Sequence, residues 1–188
     1  MEADWEFELG EGAPVIDAAW SGFVDLRCSP QRATDLTETH ALPALAEVLV
    51  RLNQPRSSPV WTAKCDVWVP ESIDPYELDA PPGVPLSALA CYVDLLPRSD
   101  QQWNTPSMIE QACHALCTRL RAVPLRCCRA DLVVRRAVLA PEVFDLGITA
   151  YLTACAPGDP GAAAARLSDA LHALADTLCP AETESQIQ

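Results

Sequence analysis

Residues 86–155 switch their apolar period from two to about 3.6 and back to two, and that switch leaves few folds open to the chain. Over 87–95, Leu89, Cys91, Val93 and Leu95 share one side while Tyr92 and Asp94 take the other, the pattern of a half-buried strand. Thr105 then suits an N-cap and Pro106 a first helical position. Ile109, Ala112, Cys113, Leu116, Cys117 and Leu120 follow at helical spacing. Alternation returns over 126–138, where Cys128, Ala130, Leu132 and Val134 oppose Arg129, Asp131 and Arg135. It returns again over 145–155, where Leu146, Ile148, Ala150 and Leu152 oppose Thr149, Tyr151 and Thr153.

The flanking sequence extends this alternation of strands and helices. Residues 1–14 are acidic and alternate Trp5, Phe7 and Leu9 with Glu6 and Glu8, which reads as an edge strand whose charges discourage further pairing. A second strand is expected over 18–27, interrupted by Ser21 and Gly22, and a short helical turn from Ser29. Leu42, Leu45, Leu49 and Leu52 predict a helix from Leu42 or Pro43 to Leu52, stopped by Asn53 and Pro55. Residues 60–69 alternate Trp61, Ala63, Cys65 and Val67 with Thr62, Lys64, Asp66 and Trp68, so Trp61 is expected in the core and Trp68 on the opposite side. Five prolines and four acids make 70–85 a stiff surface connection. Asp159 and Pro160 open a last helix with Leu167, Leu171, Leu174 and Leu178 inward, and 180–188 is a polar, frayed tail.

In order, 18–138 matches the strand-helix-strand-strand-helix-strand run of ferredoxin-like folds. The expectation is a single α+β domain over 1–188, a ferredoxin-like-related sandwich. Its sheet is five- or six-stranded and largely antiparallel, with helices on one face. A hairpin across 139–144 is expected to set Arg135 near Thr149, Val133 near Tyr151 and Asp131 near Thr153.

Composition narrows the function classes. A net charge of −13 over 188 residues repels phosphate, so no nucleic-acid partner is expected. Arg119, Arg121, Arg126, Arg129, Arg135 and Arg136 form one local basic patch. It reads as a solvated surface balancing the acidic arm, with anion binding as the alternative. The apolar runs are too short to span a bilayer and the first residues are acidic, so neither a membrane partner nor a signal peptide is expected. Nine cysteines cannot all pair, and Cys65, Cys91, Cys113, Cys117 and Cys128 occupy apolar phases. They read as reduced core residues of a cytoplasmic protein.

Chemical motifs are sparse. Cys113 and Cys117 share a helix face, but it is the apolar one, and His114 lies on the polar side, so no metal site is expected. Cys127 should be more exposed than Cys128, since neighbours on a strand face opposite ways. His172 lies between Asp169 and Asp176 at helical spacing. No phosphate loop, nucleophile elbow or dinucleotide fingerprint occurs, and no cofactor is expected.

The sheet face away from the core is the most informative constellation. Lys64, Asp66, Trp68, Tyr92, Asp94, Arg129, Asp131, Arg135 and Tyr151 should lie there side by side. Large amphipathic rings among charges suit a binding surface, either for a protein partner or for another copy of the chain as a homo-oligomer. The alternative is an enzyme or small-molecule sensor with a pocket on the same face, closed by 70–85 or the Trp103 loop, with Lys64, Asp66 and Asp94 as its polar groups. Lys64 is the sole lysine, and an amine can do chemistry that a guanidinium cannot.

Overall fold

The computed structural model describes residues 1–55, 58–98, 103, 105–141 and 143–180. Among them the elements run β1 (Glu2–Glu8), β2 (Val15–Asp17), a 3-10 turn (Pro30–Asp35), α1 (Thr37–Ala41), α2 (Pro43–Leu52), β3 (Val60–Trp68), β4 (Leu86–Pro97), α3 (Pro106–Arg121), β5 (Cys128–Ala140), β6 (Val143–Pro157) and α4 (Pro160–Leu178). The helix starts follow their caps: Thr105 Oγ1 accepts from the Met108 amide at 3.3 Å, and Asp159 accepts from the Gly161 and Ala162 amides. Most of the polar tail, 181–188, lies outside the described residues.

The six strands form one open, mixed sheet of order β1-β5-β6-β4-β3, with β2 continuing the line of β1 along β5. β3, β4, β6 and β5 pair antiparallel, but β1 and β2 both run parallel to β5. The expectation of a largely antiparallel sheet is therefore corrected. Most of the chain separates β1 from β5, so no hairpin dictates their relative direction. Nor is the ferredoxin-like relation confirmed: the sheet order places β6 between β5 and β4. Residues 18–27 form turns instead of a strand, with Gly22 at φ 96°, a conformation that breaks an extended run. From β3 onward the chain instead repeats strand-strand-helix twice, and the second strand of each unit, β4 and β6, pairs at the centre.

All the long helices pack on one face. Cys91, Val93 and Leu95 of β4, Leu132 and Val134 of β5, and Ile148 and Leu152 of β6 meet Leu45 and Leu49 of α2, Ile109 and Leu116 of α3, and Leu167 and Leu171 of α4 in one continuous core. Trp103 is buried in this same core and not on the other face, and most of the loop around it lies outside the described residues.

That other face is covered at both ends by loops. At one end Ile16 and Ala18 pack with Trp61, Leu96 and Ala137; at the other Leu78 and Ala80 pack with Cys127 and Cys155. The connection 70–85 is mostly exposed, yet these two side chains anchor it. They also bury Cys127, which had been expected to be the exposed thiol; its φ of 58° turns the chain into β5 beneath the loop. Gly147 shows how close the first cover lies: a Cβ there would stand 2.7 Å from Ile16 Cδ1 and 2.9 Å from Leu96 Cδ2.

Trp61 is buried, but on the face opposite to the one its alternation predicts. Trp61 pairs with Leu96 and Thr62 with Leu95, while the next pair is Cys65 with Val93, so a bulge at Ala63 and Lys64 shifts the phase of β3. Asn53, fully buried at the end of α2, pins it. Its amide donates to Thr62 Oγ1 and to the Leu49 carbonyl, both at 2.8 Å, and its Oδ1 accepts from the Thr62 amide at 3.1 Å. Cys65 and Val67 then pack on the main core, and Trp61 shares a face with Asp66 and Trp68. The hairpin register also differs from expectation by two residues: Arg135 pairs with Gly147, Val133 with Thr149 and Asp131 with Tyr151, because the connection between Ala140 and Val143 is tight. A shift of two keeps every side chain on its face.

The loop cover makes a measurable claim. Trp61 is 5% exposed, packs edge-on to Phe23, lies under the Arg27 guanidinium at 4.2 Å, and donates from Nε1 to the Pro97 carbonyl. Trp61→Ala is expected to cost about 3 to 5 kcal/mol in urea unfolding. A loss under about 1 kcal/mol, the range of an exposed site, would show that the loop after β2 does not seal this end of the sheet.

Candidate functional site

Between the two covers a strip of the helix-free face stays open, and the ladder registers set what stands on it. Asp66 lies opposite Tyr92, Tyr92 opposite Tyr151, Tyr151 opposite Asp131, and Asp131 opposite Asp4, a row that crosses five strands. In the next row Trp68 faces Ala90, whose methyl leaves room for the indole to lean over its neighbours. The ring centroids of Trp68, Tyr92 and Tyr151 are 5.8 to 6.4 Å apart in tilted and edge-on arrangements, favourable for aromatic groups. All three rings are half-buried.

Charges flank the rings. Arg129 grips Asp131 through Nε at 2.8 and 2.9 Å. Arg135 donates to Glu8 at 2.9 Å and to the Tyr151 hydroxyl at 2.8 Å, tying the acidic first strand to the ring cluster. These two guanidiniums are committed within the chain. Arg121 likewise donates to the Ala3 carbonyl and Arg136 to that of Gly10, so the local basic patch is largely spent on the β1 side of the sheet.

Asp94 is 5% exposed and accepts a 2.6 Å hydrogen bond from Thr149 Oγ1. Burial pushes its carboxyl up from 3.8 to about 6, against the pull of the Thr149 bond and of Lys64 and Arg135. Burial also pushes the Tyr92 hydroxyl up to about 12, helped by Asp94 and Asp66, so this phenol is a neutral hydrogen-bonding group at physiological pH.

The structure thus gathers Asp66, Trp68, Tyr92, Asp94, Arg129, Asp131, Arg135 and Tyr151 on one face, while Lys64 sits in the bulge at the β3 edge. Thr149 and Glu8 complete the arrangement. Sequence phase placed Thr149 on this face, but its bond to Asp94 and that of Glu8 to Arg135 depend on register between distant strands. Elsewhere, His172 approaches Glu47 at 3.6 Å rather than its helix neighbours. All nine cysteines are free thiols, and burial raises Cys113 and Cys117 to about 12 and about 11, well above a reactive range. Among the described residues no group of three or more His, Cys, Asp or Glu side chains is placed to hold a metal ion, and no helix is long and apolar enough to cross a membrane.

No protein-family model matches the chain, and neither any curated protein nor any solved structure matches it.

Asp94 gives a pH signature. Its folded pKa lies above its ordinary value, so the protonated carboxyl favours the fold: the stabilisation is complete below about pH 4 and is lost as pH rises through about 6. Asp94→Asn removes that titration while still accepting from Thr149. The variant should gain on the parent by about 1 to 3 kcal/mol between pH 4 and pH 7.5 in urea unfolding. A difference that stays flat across this range would mean that Asp94 does not ionise there.

Proposed function

We propose that this is a binding protein that holds a basic, arginine-bearing protein surface against the open strip. The supporting observation is the Trp68, Tyr92 and Tyr151 cluster, left half in water between two loop covers that could have sealed it. Tryptophan and tyrosine are the side chains that anchor interfaces, and arginine packs on their faces by cation–π attraction. Arg135 already does so within the chain, 5.3 Å from the Tyr151 ring.

Charge selects the partner. The arginines on the strip are paired with Asp131 and Glu8, which leaves Asp66 to carry the exposed charge beside the rings. A net charge of −13 also makes contact between two copies repulsive, so a cationic partner fits better than self-association and nucleic acid fits least. Nine free thiols suit a reducing, cytoplasmic setting.

A fluorescent peptide alternating arginine with leucine should bind the chain saturably in an anisotropy titration, more weakly as salt rises, while a glutamate–leucine control should not. Trp68→Ala should weaken that binding at least tenfold, about 1.4 kcal/mol, while lowering fold stability by only about 1 kcal/mol. Equal binding of both peptides, or an unchanged affinity in Trp68→Ala, would remove the strip as the working surface.

A further inference from the structure

A second site adjoins the ring cluster, sharing Tyr92 and Asp66 with it, at the edge of the sheet where the β3 bulge parts the chain. There a cavity of about 380 Å³ opens between β3, the loop after β2 and the first two helices. This volume lies within the range of small-molecule sites. Part of its wall is apolar: Val24 and Leu26 line it from the loop, Leu36 and Leu49 from the helical side. The tight turn at Gly22 folds Trp20 back beside it as one wall, the Phe23 amide bonding the Trp20 carbonyl at 3.2 Å, and Tyr92 supplies another.

The mouth carries both signs of charge, unspent. Lys64, Glu38 and Asp66 line the cavity, and among the described residues none of the three makes an ion pair. The Lys64 ammonium rests 5.6 Å from the centre of the Trp20 ring, and the Asp66 carboxylate accepts only from the amide of Val67. Lys64 and Glu38 are half-buried and Asp66 is exposed; half-buried charges beside an apolar wall are weakly solvated and gain from a partner of opposite sign. A purely anionic ligand would meet Glu38 and Asp66. A purely cationic one would meet Lys64 already seated over the indole. A zwitterion satisfies both signs at once.

We infer that this cavity binds a free apolar α-amino acid, or a small zwitterion of the same chemistry, with its carboxylate on Lys64, its ammonium between Glu38 and Asp66, and its side chain among Val24, Leu26, Leu36 and Leu49. The Thr62 end is held rigid by Asn53, so the site is formed before ligand arrives. Cys65 also lines it, but burial holds its thiol at about 12, so the site binds without a thiolate nucleophile. The site shares Tyr92 and Asp66 with the ring surface, but its test reads Lys64 and Leu36, which lie outside the ring cluster.

Calorimetric titration of the full chain with L-leucine and L-phenylalanine tests it. Both should bind saturably, while isoamylamine and 4-methylpentanoate, which each keep only one of leucine's charges, should bind at least tenfold more weakly. Lys64→Met should cut the affinity for leucine at least tenfold and bring it level with isoamylamine. Leu36→Trp, which fills the cavity without touching the charges, should abolish binding of both amino acids. No saturable binding of either amino acid, isoamylamine binding as tightly as leucine, or unaltered leucine binding in Lys64→Met would each overturn the assignment.

Discussion

The antiparallel ladder between β4 and β6 is the constraint on which the rest of this structure depends. It runs from Leu86 against Pro157 to Leu95 against Ile148 and joins two strand-strand-helix units along their second strands. Both strands are central, so both of their faces must be accounted for. The odd residues of β4 and the even residues of β6 go to the helices, and the opposite set must find cover or face water. Because the units repeat, the uncovered residues come in like pairs: Tyr92 meets Tyr151 at the centre, with Asp66 outside one and Asp131 outside the other. The ring cluster and its acidic flanks are thus consequences of one register.

The bulge in β3 is the chief departure from that regularity. A regular β3 would have placed Trp61 on the helix face, where the Leu-rich core already fills the space. Two residues opposite one let Trp61 turn to the other side, where the loop after β2 buries it. Asn53 makes the irregularity affordable, because the Thr62 amide and hydroxyl bond to its side chain inside the protein. The same distortion opens the edge cavity and places Lys64 at its rim. Stability and the candidate ligand site therefore share one cause.

What was legible in the sequence was the local periodicity. β4, α3, β5, β6 and α4 all formed where period and caps placed them, and the face shared by Tyr92, Asp94, Arg129, Asp131, Arg135 and Tyr151 followed from alternation alone. What was not legible depended on contacts distant in sequence. The direction of β1 beside β5 is a choice between two edges that no local pattern encodes. The β3 bulge answers to Asn53, nine residues upstream of Thr62. Residues 18–27 carry apolar side chains that suit a strand, but they are used to cap the sheet from above, with Gly22 supplying a turn. Cys127 was misplaced for a similar reason: alternation gives the face of a residue, and only the path of 70–85 decides whether that face is wet.

The two loop covers also explain why the open strip has the width it has. Ile16 and Leu78 seal opposite ends of the face, and each cover stops where charged side chains begin. Extending either across the middle would bury Asp131 and its paired Arg129, or the Arg135–Glu8 pair, at a desolvation cost that apolar contacts with three rings would not offset. Leaving the rings half in water forgoes only about 1 kcal/mol each. The fold settles at the lower cost, with Asp94 the one deeply buried acid on this face among the described residues, held by Thr149 and by the nearby positive charges of Lys64 and Arg135. A surface that is apolar in its rings, fixed by internal ion pairs and negative at its margin is therefore the stable end point for this sequence. The rings are held in their places by one another and by the Arg135 bond to the Tyr151 hydroxyl, contacts made within the chain.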